Sequence, residues 1–401
     1  MPNIPPKIPA EAPIKTANAY CIGPPFAARP PVPSRAGRSG GHSGRWTRPS
    51  PATQKRTNRQ NGRMRVGILG LGGMGSTHLR QYRQMPDVEI LAFDPKEERR
   101  QMAAAGGAVA CTSPEDLIGK ADVVDVCVAT DLHHAVGMEA VAAGKAVFME
   151  KPIARTLEQA AELMDAADKA RVPFTVGMVV RYFPEFARAN AVVRSGSLGN
   201  PAAARTRRGG AAPRGSQDWF MDHRRSGGVL VDLAIHDFDW LRWTLGEVKS
   251  LYARSVAAER GSGPDYALTT LTFDSGCVGH VEATWMDPAG FRVTFEVCGS
   301  DGMIQYDSRS TPTLRTNLAQ PADAAANDPR AQSTGRSGGV ESPLAAQDDP
   351  YYRELRAFLD AVRAGNPPPI SPHDGAMALS IGLAALESAR TGRAVTPARH
   401  F

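Results

Sequence analysis

Arg65-Val66-Gly67-Ile68-Leu69-Gly70-Leu71-Gly72-Gly73-Met74-Gly75 is a short apolar run closing on the spacing G-x-G-x-x-G. Such a run reads as a buried strand, and the glycines read as its turn into a helix. Gly70 permits the sharp turn, Gly72 lets backbone N–H groups approach a pyrophosphate, and Gly75 lets the helix pack closely on the strand. Gly73 and Met74 lie in the same loop and join the set expected to touch a dinucleotide. The flanks make the match specific. A helix is expected from Ser76 to Gln84, then a second strand Val88-Glu89-Ile90-Leu91-Ala92-Phe93 ending in Asp94, 24 residues past Gly70. A carboxylate there accepts both ribose hydroxyls and repels a 2′-phosphate, so NAD is expected as the cofactor. Lys96, Arg99 and Arg100 add positive charge beside Asp94 and leave NADP possible.

Working outward, strand and helix signals alternate from Met64 to about Met178. The spacing predicts a helix to Ala105, a short strand near Val109, a helix start at Ser113-Pro114 and a strand at Val123. A helix over His133–Ala143, a strand Ala146-Val147-Phe148-Met149, a helix over Thr156–Ala170 and a strand at Phe174-Thr175-Val176 follow. Thr156 and Gln159 have capping-box spacing. Such alternation specifies a parallel, doubly wound α/β sheet over residues 64–182. From about Phe183 the pattern changes to a helix ending at Arg194, a helix carrying Asp232 and His236, and then period-2 segments. Those segments are Lys249–Val256, Tyr266–Phe273, Cys277–Trp285, Phe291–Val297 and Gly302–Tyr306, the last two joined by the hairpin signal Gly299-Ser300-Asp301-Gly302. Residues 183–401 are therefore expected to form an α+β domain with a large, mostly antiparallel sheet. Within it, 307–349 reads as a long loop, and helices are expected at Tyr351–Ala364 and Ala376–Arg390.

The charge is unevenly distributed. Residues 1–63 hold 12 of the 32 prolines and eleven Lys or Arg against one acid, Glu11, whereas residues 64–401 carry 36 basic and 40 acidic groups. The net charge of +6 is thus a property of the leading segment and argues no nucleic-acid partner for the folded part. That segment lacks apolar periodicity and reads as a disordered extension, either sequence upstream of a start at Met64 or a basic targeting or tethering arm. It contains no apolar stretch of secretory type, and no run anywhere approaches a membrane span. Cys21, Cys111, Cys127, Cys277 and Cys298 include no C-x-x-C pair and suit free thiols of a reducing compartment, so a cytoplasmic location is expected. The nine His show no metal-ligand spacing, and no metal is assigned.

Two further stretches carry chemistry. In Gly227-Gly228-Val229-Leu230-Val231-Asp232-Leu233-Ala234-Ile235-His236-Asp237, helical spacing i, i+4 puts Asp232 and His236 on one face, about 6 Å apart. Glu150-Lys151-Pro152 follows a strand of the first sheet and delivers a lysine from its end. Neutral imidazole suits His236 to take a proton from a hydroxyl, Asp232 to hold a substrate hydroxyl or an imidazolium, and Lys151 to stabilise a developing alkoxide. Asp237 and Asp239 read as solvated or supporting. Arg181 is a candidate substrate contact at the domain junction, with structural support as its other reading. Asp218–Arg224 is either an aromatic pocket wall or a loop anchored by Trp219.

The fingerprint, Ala142-Ala143-Gly144-Lys145, Glu150-Lys151-Pro152 and the Gly227-to-Asp237 run, in that order, resemble the Gfo/Idh/MocA oxidoreductases from Met64 onward. The Asp232–Asp239 run looks most like inositol-type members. The resemblance implies NAD(P)-dependent hydride transfer to or from a secondary alcohol of a sugar, cyclitol or sugar derivative, with Lys151, Asp232 and His236 catalytic. It places Thr130, His133 and Glu150 beside the nicotinamide, and it is in keeping with a cis bond before Pro152. Asp131 stands where such enzymes commonly have proline. The resemblance also implies a homodimer or homotetramer formed through the open sheet face. An NAD-dependent glycosidase and a catalytically idle nucleotide sensor of the same fold are the alternative functions.

Overall fold

The computed structural model describes residues 62–213, 216–257, 264–287, 290–311, 313–318, 336–340 and 349–401. The extension at 1–63 lies outside them except for Gly62 and Arg63, as does Cys21.

Six strands, β1 (Met64–Leu69), β2 (Val88–Phe93), β3 (Val109–Ala110), β4 (Val123–Val126), β5 (Ala146–Glu150) and β6 (Phe174–Gly177), form a parallel sheet in the order β3-β2-β1-β4-β5-β6. This is the doubly wound order whose reversal between β1 and β4 opens a crevice at the strands' carboxyl ends. The crossovers are α1 (Gly73–Tyr82), α2 (Glu97–Ala105), α3 (Pro114–Lys120), α4 (His133–Ala142) and α5 (Leu157–Ala170). Every residue of β4 and β5 is buried, as expected for central strands covered on both faces. Helix α1 starts at Gly73, three residues before the expected Ser76, so the fingerprint loop itself supplies the first turn. The Thr156 side chain accepts the Gln159 amide, but Gln159 Oε1 accepts from Arg155 N, so only half of the expected capping box forms.

After α6 (Pro184–Arg194), eight strands form the second sheet: β7 (Pro201–Gly209), β8 (Val248–Ala257), β9 (Pro264–Phe273), β10 (Val278–Thr284), β11 (Arg292–Gly299), β12 (Gly302–Asp307), β13 (Leu314–Leu318) and β14 (Arg336–Val340). The order is β14-β13-β12-β11-β7-β10-β9-β8, antiparallel throughout except for β7 beside β10. Central β7 was not expected from the sequence. Its Ala-Ala-Ala-Arg-Thr-Arg-Arg run is poor in β-formers, yet Ala204, Thr206 and Arg208 alternate inward. The expectation of a loop over 307–349 is also corrected, since β13 and β14 pair there as an edge hairpin. After the single-turn helix α7 (His223–Ser226) comes α8 (Ile235–Leu245), and α6 and α8 cover one sheet face through Phe186, Phe238 and Trp240. The other face is open, with Tyr252, Leu268 and Val278 exposed.

The last two helices join the halves. Helix α9 (Pro350–Ala364) returns to the first sheet and packs Leu355, Phe358 and Leu359 with Ile68, Phe148 and Tyr82. Residues 183–401 therefore do not stay with one sheet. Helix α10 (Pro372–Thr391) begins four residues before the expected Ala376 because Ser371 and Asp374 form a capping box. It packs Ala376 and Leu379 into the first core and Ile381 and Ala385 into the second. Cys111, Cys127 and Cys277 are buried free thiols, and Cys298 is half-buried. Among the described residues no helix is long and apolar enough to cross a membrane.

Phe358 is 1% exposed, and its ring lies edge-on to Phe148 at 5.8 Å. Phe358→Ala should lower the unfolding free energy by about 3–5 kcal/mol in a urea titration. A midpoint within error of wild type would show that α9 does not close this sheet.

Candidate active site

The nucleotide end follows from the fingerprint. Gly70 has φ +92°, and a Cβ there would stand 2.6 Å from the Cys127 carbonyl oxygen. A Cβ on Gly72 or Gly73 would meet nothing within 4 Å, so the backbone is open on the side where a pyrophosphate would lie. Gly72 caps helix α1 without a side-chain hydrogen bond, which leaves the first-turn N–H groups, including those of Met74 and Gly75, free for an anion. At the end of β2, Asp94 is buried; its Oδ2 accepts from Leu71 N at 2.9 Å and from Arg99 Nη1 at 3.1 Å, and its Oδ1 from Lys96 N at 2.9 Å. The residues present thus fit a dinucleotide, and Asp94 is tied directly to the fingerprint loop.

At the other end of the crevice, β5 runs into Glu150-Lys151-Pro152, with a cis peptide between Lys151 and Pro152. Lys151 Nζ donates to Asp232 Oδ1 at 2.9 Å and to the Asp232 carbonyl oxygen at 2.8 Å. Asp232 does not sit on the expected α-helix. Val229–Leu233 is a π turn closed by Ala234 N to Val229 O at 2.9 Å, and α8 starts only at Ile235. Gly227 and Gly228 enter this turn at φ +84° and +67°; a Cβ on Gly228 would collide with the His223 ring. The wider turn breaks the i, i+4 register, and the Asp232 carboxylate turns to Lys151.

His236, in the first turn of α8, is half-buried. It makes no hydrogen bond among the described residues, and its Nδ1 is buried without a partner. Burial first, then the Lys151 and Arg208 charges, hold its imidazole well below the usual histidine range, so it is neutral at neutral pH. A lysine, the carboxylate that orients it and an uncharged base thus converge from two domains.

The other residues singled out in the sequence take the following places. Thr130 is buried at the head of the 3-10 turn Thr130–Leu132. His133 lies between the carbonyls of Val128 and Pro152, at 3.2 and 2.7 Å from Nε2 and Nδ1, and its neutral ring, with one N–H, donates to one of them. Burial lowers its proton affinity. Glu150 is buried and accepts the Lys151 amide on Oε2 at 3.1 Å. Burial works to raise its carboxyl, but His78 and Lys151 outweigh that and hold it below the usual range. Arg181, read either as a substrate contact or as structural support, is engaged by carboxylates: Nε and Nη2 grip Asp239 at 2.8 and 2.5 Å, and Nη1 lies 3.5 Å from Asp374. Asp237 is likewise paired, with Arg208 Nε at 2.7 Å. Asp131, in the proline-like position, takes Arg225 Nε at 2.8 Å. Trp219 and Phe220 stack on one another at 3.9 Å. Sequence reasoning missed His78, Asp125 and Arg208. Each is polar within a segment read as helix or apolar strand, or within an unrecognised strand, and a buried polar residue was the available signal.

Comparison with known proteins agrees with this fold. Residues 64–178 match the family model described as "Oxidoreductase family, NAD-binding Rossmann fold", and residues 186–305 match "GFO/IDH/MocA C-terminal domain". The chain is 32% identical to a myo-inositol 2-dehydrogenase of Thermotoga maritima, over 83% of this chain and 98% of that one. It is 29% identical to scyllo-inositol 2-dehydrogenase (NAD(+)) of Bacillus subtilis, covering 83% and 96% respectively. A crystal structure of a probable dehydrogenase from Thermotoga maritima superposes with a TM-score of 0.69 at 29% identity, covering 83% of this chain and 98% of that one.

Because Asp94 occupies the ribose end, calorimetry should find NAD bound more tightly than NADP, with Asp94→Ser narrowing the gap. Tighter NADP binding by the wild type would instead make Lys96 and Arg99 the readers of a 2′-phosphate.

Proposed function

The chain belongs to the Gfo/Idh/MocA oxidoreductase family, and we propose that it is an NAD-dependent dehydrogenase acting on a secondary alcohol of a cyclitol or sugar. The observation that carries this reading is the convergence of Lys151, Asp232 and His236 at the open end of the dinucleotide crevice. The inositol dehydrogenases among its relatives favour a cyclitol as the first substrate to test.

A bound nicotinamide supplies the hydride acceptor for oxidation and the donor for reduction. The protein's own part is positioning and charge. A carbinol hydroxyl near Lys151 Nζ loses its proton to neutral His236 as the carbonyl forms, and the ammonium offsets the negative charge that develops on oxygen. Asp232 holds the ammonium in place; the rival expectation that it stabilises the imidazolium has no support, since its carboxylate is engaged by lysine. In the reverse direction His236 returns the proton. The open face of the second sheet, where Tyr252, Leu268 and Val278 alternate with the Arg205–Glu296 and Arg207–Glu282 ion pairs, is the surface proposed to join a homodimer or homotetramer.

Cyclitols, aldoses and sugar acids screened with NAD, following absorbance of the reduced cofactor, should reveal turnover with a cyclitol or pyranose; no turnover with any of them would sink the reading. Lys151→Ala and His236→Ala should each reduce kcat by roughly 10²–10⁴-fold while leaving NAD affinity nearly intact. The pH profile adds a separate check. A base works deprotonated, so the oxidation rate falls as pH drops through its pKa, and the lowered His236 pKa places that limb below the usual histidine value of about 6.5. An acid limb in kcat/KM centred above that value, or one that persists in His236→Ala, would assign the proton to another group.

A further inference from the structure

Behind the lysine turn, on the face of the first sheet covered by α1 and α9, lies a sealed group of polar side chains. His78 of α1 is fully buried, and its ring meets Phe148 edge-on at 5.5 Å and Tyr351 at 6.2 Å. Its Nδ1 is 2.9 Å from Asp125 Oδ2 and 3.3 Å from Cys127 Sγ, both near the end of β4. Its Nε2 is 3.2 Å from Glu150 Oε1. The His78, Asp125 and Cys127 atoms thus stand at hydrogen-bonding distances from one another.

A buried histidine needs one partner to be satisfied, and Asp125 is sufficient for that. The second nitrogen goes further: it faces the carboxylate whose other oxygen accepts the Lys151 amide. Gly177 on β6 clears the space, since a Cβ there would come 3.2 Å from Glu150 Oε1. The chain of contacts is then Asp125, His78, Glu150 and the Lys151 backbone, with the Lys151 ammonium on Asp232 at its far end. Resting on the dehydrogenase reading above, we propose that His78 is a positioning residue, which through Glu150 fixes the Lys151 backbone and so the direction of its ammonium. Burial opposes a charge on His78, but Asp125 and Cys127 override it, so the ring is cationic: Nδ1 donates to Asp125, and Nε2 stands against the Glu150 carboxylate as an ion-pair contact rather than an aligned hydrogen bond. Other titratable groups facing this ring are Cys127, Tyr82, Tyr351 and Glu354, and burial pushes all four toward their neutral forms.

Two amide replacements separate positioning from packing. In His78→Gln the amide nitrogen approximates Nε2 and keeps a donor toward Glu150, whereas in His78→Asn it approximates Nδ1 and reaches only Asp125. The Lys151 amide resonance in 15N-labelled full-length protein should stay near wild type in the Gln variant and shift in the Asn variant. Turnover should follow: His78→Asn should lower kcat about 10²-fold with KM and NAD affinity little changed, and His78→Gln should recover most of that loss. Asp125→Asn, which keeps the side-chain shape and removes the charge holding the ring, should shift the same resonance and supplies the test if neither His78 variant folds. An unmoved Lys151 resonance in His78→Asn or Asp125→Asn, or equal losses of kcat in Asn and Gln that track their melting temperatures, overturns the proposal. The resonance needs no substrate, so a protein that oxidised no polyol would defeat the proposed function and leave this result readable.

Discussion

A lysine ammonium withdrawn from water must find oxygen, and Lys151 finds two on one residue, the carboxylate and the carbonyl of Asp232. Lys151 follows β5 of the first sheet and Asp232 lies in the π turn before α8, so the contact fixes that strand end against the turn that leads into α8. Its side chains are only 15% and 9% exposed, so removing either partner would strand a charge in a poorly solvated place, a loss of roughly 3–5 kcal/mol for a buried pair. The π turn makes this contact possible. An ordinary helical turn would carry the Asp232 carboxylate along the face it shares with His236, whereas the wider turn releases it toward the lysine and leaves the imidazole without an acid partner.

The same logic recurs along α8. Asp237 is held by Arg208 of β7, and Asp239 by Arg181 from the 3-10 turn after β6. With Asp232 and Lys151, three carboxylates within eight residues each meet a cation from a separate element. Buried pairs of this kind contribute little net stability compared with well-packed apolar groups. What they supply is register, because each geometry is satisfied in only one placement of α8 over the second sheet. Apolar packing of Phe238 and Trp240 provides the driving force, and the ion pairs choose among the placements it would allow.

This division explains what could be read from the sequence. The first sheet was legible because its strands are continuous apolar runs, such as Ala146–Met149, separated by amphipathic helices and introduced by glycines with a steric task. Lys151, Asp232 and His236 were legible as residue types in order, though their mutual geometry was not. The π turn has no periodic signature, since Val229–Leu233 fits an α-helix equally well by composition. Strand β7 was hidden because its inward positions are Ala204, Thr206 and Arg208, and Arg208 belongs indoors only on account of Asp237, 29 residues later. Arg181 stayed open between two readings for the same reason. A lone arginine at a domain junction invites a ligand, and only the fold reveals that Asp239 and Asp374 already claim it. Long-range pairing of charges is therefore the information that local patterns omit.

The electrostatic setting of His236 then follows from its neighbours. Burial first, then Lys151 and Arg208, lower its proton affinity, which keeps it deprotonated but makes it a weak base. Taken alone, a weak base is ill suited to an alcohol, whose hydroxyl holds its proton tightly. In the proposed reaction the reacting system itself supplies the correction. As the hydroxyl proton departs, negative charge grows on the oxygen beside Lys151, and that charge opposes the lysine's field at His236. The imidazole thus gains basicity as transfer proceeds, while the ammonium that weakened it in the resting state stabilises the alkoxide. One fixed cation serves both ends of the proton movement, and this requires that Lys151 hold its position throughout, the demand met by Asp232 in front and by Glu150 behind.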